Sequence, residues 1–145
     1  MDVYEIKSRI DNMLAEAEAY KKKWHAPKRW RIAEVCNDLS IFDWWNENLS
    51  VSQLKQMRKF VVEAIVRGFD GYACFKVGAA GCSHGMWACE QQSTDGYSPD
   101  GPCLFHSFRT GDNYYGLRLP NGNWVDGDLT LKQVDEIMAD KDTWK

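Results

Sequence analysis

Apolar residues recur along the first twenty-four positions at alternating intervals of three and four: Val3, Ile6, Ile10, Met13, Ala17, Tyr20 and Trp24. That rhythm keeps them on one stripe of a helix and predicts a helix over residues 2–24. Asp2 can cap its first turn, with Glu5 reaching back as in a capping box. Pro27 ends the segment, because its ring cannot continue the hydrogen-bond ladder. The stripe is narrow, of heptad type. We expect it to pack on its own domain; the alternative is a weak dimer seam running from Val3 to Trp24, in which Met13 and Ala17 contribute little.

A second pattern marks helix starts. Leu39-Ser40-Ile41-Phe42-Asp43-Trp44, Leu49-Ser50-Val51-Ser52-Gln53-Leu54 and Leu129-Thr130-Leu131-Lys132-Gln133-Val134 each place a hydroxyl at an N-cap with an apolar residue before it. The second and third add Gln at the third helical position, which completes a capping box with a hydrophobic staple. The second start opens a helix over about 51–67. Its face is Val51, Leu54, Met57, Val61, Ile65 and Phe69, widened by Phe60, Val62 and Val66, and Gly68 stops it. Residues 30–38 fit a short helix or a strand equally well.

From Asp70 the period changes to two. GYACFKV, GMWACEQ, CLFHSF, NYYGLRL and NWV alternate between turn-forming connections, and Pro120-Asn121-Gly122-Asn123 is a hairpin turn, since Asn-Gly tolerates positive φ. Strands joined this closely run antiparallel. The expected fold is α+β: N-terminal helices packed on a four- to five-stranded antiparallel sheet, with a short C-terminal helix. We expect a single globular domain over 1–145, with a helical half at 1–69, the sheet at 70–128 and the closing helix at 129–140. Residues 93–102, carrying Tyr97, read as a long turn-rich loop.

Charge changes the picture more than composition does. The 145 residues carry a net charge of −3, yet residues 21–31, KKKWHAPKRWR, hold six basic side chains and no acid, which leaves 12 basic against 21 acidic elsewhere. This asymmetry makes Lys21, Lys22, Lys23, Trp24, Lys28, Arg29, Trp30 and Arg31 the first candidate contact surface. Cations there could attract phosphates while indoles stack on bases, or the same set could hold an acidic protein. Asp38, Asp43, Trp44, Trp45 and Glu47 form a second, acidic and aromatic group. Two adjacent Trp cannot both face one core, so Trp45 and the loop residue Tyr97 join the candidates. Asp112, Asp126 and Asp128 could take a hard cation but lack the twelve-residue calcium-loop pattern.

The segment CSHGMWACEQQSTDGYSPDGPCLFH holds three of the five cysteines and two of the three histidines. Cys82, His84, Cys89 and Cys103, with His106 to spare, could supply zinc ligands, but the tightly spaced Cys pairs of structural zinc are missing. Cys103 and His106 fall on opposite faces if the segment is a strand. A Cys nucleophile would need one of these histidines across a strand pair, with no orienting residue in evidence. The reading that covers the most residues is packing: thiols as small apolar groups on a half-buried pleat and His106 as a hydrogen-bonded core residue.

The N-terminus mixes charge from Asp2 onward, unlike a secretory signal, and no apolar run is long enough for a membrane span. An odd cysteine count without framework spacing suits a reducing, cytoplasmic setting. No cofactor is expected, zinc being the one alternative. The function this favours is a small non-enzymatic binding protein that covers a protein partner's surface. Its size and polarised charge suit an accessory protein of a phage or mobile element, of the kind that inhibits a nucleic-acid-handling enzyme such as a defence nuclease. The alternatives are a nucleic-acid-binding domain using residues 21–31, and a zinc-stabilised or Cys-dependent enzyme.

Overall fold

A computed structural model describes residues 1–21, 29–36, 48–76, 85–94, 99–107 and 114–145. The helix at the N-terminus, α1 (Val3–Lys21), begins where Asp2 caps it: Asp2 Oδ1 accepts from the backbone of Tyr4 at 2.7 Å and of Glu5 at 3.2 Å. The Glu5 side chain turns along the helix toward Arg9, 3.7 Å away. Val3, Ile6, Ile10 and Ala17 are buried in the chain's own core, with Met13 packed against it.

The ambiguous stretch after residue 29 adopts both structures it allowed. Strand β1 (Trp30–Arg31) runs directly into a single helical turn, α2 (Ile32–Val35), and β1 pairs antiparallel with β2 (Asn48–Leu49). Trp30 lies opposite Leu49 and both are buried.

Ser50 then caps α3 (Val51–Val66) with the expected box: Gln53 N donates to Ser50 Oγ at 3.2 Å and Ser50 N donates to Gln53 Oε1 at 2.8 Å. Its C-terminus is a Schellman turn, with Phe69 N donating to Ala64 O at 2.9 Å, Gly68 N to Ile65 O at 3.1 Å, and Gly68 at φ 87°. The buried face is Leu54, Met57, Phe60, Val61 and Ala64, whereas Val66 is 76% exposed. The apolar face is therefore rotated toward Phe60 and Ala64 and away from Val66. The reason is that α3 has two partners, α1 on one flank and the sheet on the other. Asp11 of α1 accepts from Arg58 Nε at 2.7 Å and from Lys7 Nζ at 2.7 Å, which pins the helix pair at its rim.

The sheet is an antiparallel meander in the order β3 (Tyr72–Lys76), β4 (Gly85–Gln92), β5 (Pro99–Ser107), β6 (Tyr115–Arg118), β7 (Trp124–Leu129). Gly122, at φ 89°, turns the β6–β7 hairpin. Part of the expected 93–102 loop is strand instead: β4 extends to Gln92 and β5 starts at Pro99, with a register shift between Cys89 and Gln91 that absorbs the irregularity. The first residues border the sheet, since Ala73 N donates to Met1 O at 2.8 Å.

Finally α4 (Leu131–Ala139) starts at the Thr130 cap, where Gln133 N donates to Thr130 Oγ1 at 3.2 Å. Arg67 makes a two-point contact with Asp135, at 2.8 and 3.0 Å, and so ties α4 to the end of α3. The chain is thus an α+β fold, helices at the N-terminus and a short one at the C-terminus on an antiparallel sheet. Among the described residues no helix is long and apolar enough to cross a membrane. The helix start expected at 39–44 lies outside the described residues.

Candidate functional site

Cross-strand pairing sorts the sheet residues by face. Ala73, Phe75, Met86, Ala88, Leu104, His106, Tyr115 and Leu117 share the face that meets α3. His106 is stacked between Phe60 of α3, centroids 6.0 Å apart, and Tyr115 at 4.3 Å. Its Nδ1 lies 2.8 Å from Tyr114 O; a carbonyl only accepts, so Nδ1 carries the proton and donates. Tyr115 in turn donates to Glu63 Oε2 of α3 at 2.6 Å. His106 is therefore the packed histidine the strand pattern suggested, and its ring is on the opposite side of the sheet from Cys103.

The other face gathers the chemistry. Register brings Cys74 opposite Trp87, Trp87 opposite Phe105, Cys89 opposite Cys103, Cys103 opposite Arg118, and Arg118 opposite Trp124. Cys74, Trp87, Cys89, Cys103 and Phe105 are all buried. The pleat is thus buried on both faces here, which corrects the half-buried expectation. Arg118 sits among these groups as a fixed cation. Its Nη2 donates to Cys103 Sγ at 2.9 Å and its Nε to Gly101 O at 2.6 Å. Its guanidinium carbon lies 5.8 Å from the Trp87 ring and 5.4 Å from that of Trp124, and the two indoles meet edge to face at 4.8 Å. Gly101 has φ 75°, a conformation that favours glycine, and its carbonyl holds the Arg118 fork.

The two thiols of this site are cross-strand partners, and the Cys103 thiol donates to Gly101 O at 3.4 Å. The Cys89 thiol also bonds the Asp100 carbonyl and lies 2.9 Å from Gln91 O, while Gln91 N donates to Cys89 Sγ at 3.3 Å. The neighbouring Cys103 side chain does most to lower the Cys89 pKa from 9.0 to about 7, with backbone groups and the Arg118 charge adding to it against burial. The Cys103 thiol is pushed well up, first by the neighbouring Cys89 thiol and then by burial. One proton leaves the pair near neutrality and the other is held.

That difference has a sign in stability. A thiol whose folded pKa is lowered contributes nothing below the folded value and its full amount above the unfolded value. The Cys89 contribution is therefore absent at pH 7 and grows as pH approaches 9. Above pH 9 the held proton of Cys103 acts the other way, because the unfolded chain ionises a thiol that the fold keeps protonated. Urea unfolding of the wild type is expected to gain about 2 kcal/mol between pH 7 and 9 and then decline. Cys89→Ser should flatten that rise; an identical slope in the variant would remove the pair as its source.

The remaining candidates divide by position. Arg29 and Arg31 are exposed, and Trp30 between them is buried. This corrects the assignment of Trp30 to a contact surface: in a strand its parity is opposite to that of its neighbours, and its indole faces the core. Lys21 closes α1. Lys22, Lys23, Trp24, Lys28, Trp45, Tyr97, Cys82 and His84 lie outside the described residues, as does the acidic group at 38–47. Among the described residues no three His, Cys, Asp or Glu side chains are gathered to hold a metal. The residue the sequence reading missed is Arg118. Only its opposition to Cys103 reveals it, and register is not written in a local pattern. No family model matches the chain, and the comparison finds no similar curated protein and no similar solved structure.

Proposed function

We propose that the protein is a non-enzymatic binding protein that docks on the acidic surface of a protein partner through its basic segment, Lys21 to Arg31. The observation that carries this is the alternation at β1: Arg29 and Arg31 project outward while Trp30 is buried against Leu49. That anchor fastens the end of the basic segment to the core, so Arg29 and Arg31 are presented beside a fixed residue. Preorganisation of this kind lowers the ordering cost of binding. Burial of Trp30 also subtracts one of the indoles that base stacking would use, which favours a protein over a nucleic acid. The wider setting is that of a cytoplasmic accessory protein of a phage or mobile element, acting on a nucleic-acid-handling enzyme such as a defence nuclease by covering its surface.

The test is comparative capture from bacterial lysate with quantitative mass spectrometry, using wild type and the charge-reversed Lys22→Glu, Lys28→Glu, Arg29→Glu variant. A partner enriched by the wild type should be lost by roughly tenfold or more in the variant, and its capture should weaken with salt. Equal enrichment would take this surface out of the mechanism. Mobility shifts with short RNA and DNA run alongside; a salt-sensitive shift that the variant abolishes would move the reading to nucleic acid.

A further inference from the structure

We propose that Cys89 and Cys103 are a modification site, a thiol pair that a hydroperoxide oxidises to a reversible cross-strand disulfide. The pairing comes from register. The two residues are direct partners across β4 and β5. Directly opposed residues of an antiparallel pair have Cα atoms about 4.5–5.5 Å apart, inside the roughly 4.4–6.8 Å that a disulfide spans. The two side chains leave the same face of the sheet from directly paired positions, so bridging them is a side-chain adjustment. Elsewhere Cys74 stands opposite Trp87, and the Cys36 thiol points to Ala73 O at 3.9 Å.

The position in the fold gives an oxidant its route. Cys89 is the last buried residue of β4, and Glu90, Gln91 and Gln92 beyond it are exposed, as is Asp100 across the pair. The ladder is already irregular between Cys89 and Gln91. Opening of this end of the hairpin bares both sulfurs and leaves the layer that meets α3 intact. Arg118, 2.9 Å from Cys103 Sγ, supplies a positive charge to whichever sulfur is anionic.

The chemistry balances with the hydroperoxide as the only co-reactant. The Cys89 thiolate attacks the terminal peroxide oxygen; the O–O bond breaks, the sulfur becomes a sulfenic acid, and the leaving oxygen takes up a proton. Cys103 then attacks the Cys89 sulfur. The S–O bond breaks, hydroxide leaves as water with the Cys103 proton, and the S–S bond forms. Two thiols give up two electrons, and one hydroperoxide is reduced. A dithiol reductant reverses the step. In the bridged form neither sulfur can be anionic, so Arg118 loses its anionic partner and keeps Gly101 O and the two indoles.

The experiment treats the native full-length protein with hydrogen peroxide, quenches it with acid, alkylates the remaining thiols and maps the peptides. Two of the five thiols should disappear, a peptide joining Cys89 to Cys103 should form, and dithiothreitol should restore both. Cys36 and Cys74 should react at least roughly tenfold more slowly, since they are buried away from the exposed end of the hairpin. Cys103→Ser should leave a sulfenic acid at Cys89 that dimedone traps, and the wild-type map stands on its own should that variant fold poorly. The proposal is overturned if Cys89 and Cys103 stay reduced while other cysteines oxidise, if Cys89 links to a different cysteine, or if the link forms only in urea.

Discussion

Phe60→Ala is expected to cost about 4 kcal/mol, a large part of the whole stability of a domain this size. Phe60 is fully buried on α3 and its ring is stacked on His106 of β5, 6.0 Å away and inclined by 19°. His106 lies on Tyr115 of β6, whose hydroxyl returns to Glu63, one turn further along α3. The ring is thus one member of a closed circuit from helix to sheet and back. Alanine leaves a cavity beside the stacked rings of His106 and Tyr115, which a close-packed core fills only in part. Urea unfolding should show a lower midpoint with an unchanged slope. Val66→Ala, on the same helix at 76% exposure, is the control and should stay within about 0.5 kcal/mol of wild type. Equal losses in the two variants would mean that α3 meets the sheet by another face.

Gly71→Ala should be nearly as damaging, for a different reason. A Cβ at residue 71 would lie inside contact distance of the Glu90 carbonyl oxygen and 2.7 Å from its carbon. These are backbone atoms of β4, so no rotamer can relieve the clash. The start of β3 would have to move off β4 and give up the 3.2 Å hydrogen bond from Gly71 N to Cys89 O. The expected loss is about 3 kcal/mol. Gly122→Ala is the informative comparison, because nothing lies within 4 Å of a Cβ there and its cost is conformational, from φ 89° alone. That cost should be about 1 kcal/mol. If Gly122→Ala proves worse than Gly71→Ala, close approach of β3 and β4 is not what residue 71 provides.

The helices were legible where a cap and a period agreed. Ser50 with Gln53 and Thr130 with Gln133 mark helix starts by local hydrogen bonding, and the structure has both boxes. The face of α3 was legible only in part. Its apolar residues wrap more than one side, and the choice of Phe60 and Ala64 over Val66 depends on where α1 and the sheet stand. The loop expected at 93–102 was too long because Pro, Asp and Gly read as turn formers. Paired against Gln91 and Gln92, Asp100 and Pro99 extend the strand. Of the candidate contact residues, Trp30 changed sides. A Trp among cations reads as an exposed stacker, but a strand puts it on the face opposite to Arg29 and Arg31.

The thiol site divides the same way. Alternation already put Trp87 with Cys89 on one side of their strand and His106 away from Cys103 on its own. It could not say that Cys89 meets Cys103, or that Arg118 meets both, because the offset between strands is fixed by bulges, turn lengths and packing far from the residues concerned. By itself the sequence determined element type, helix starts, face parity within each strand and the concentration of positive charge at 21–31. Those follow from interactions spanning a few residues. Tertiary structure alone decided which strands are neighbours, which side chains stand opposite each other and which apolar face is covered. Each of those depends on groups distant in sequence that only the closed core brings within contact.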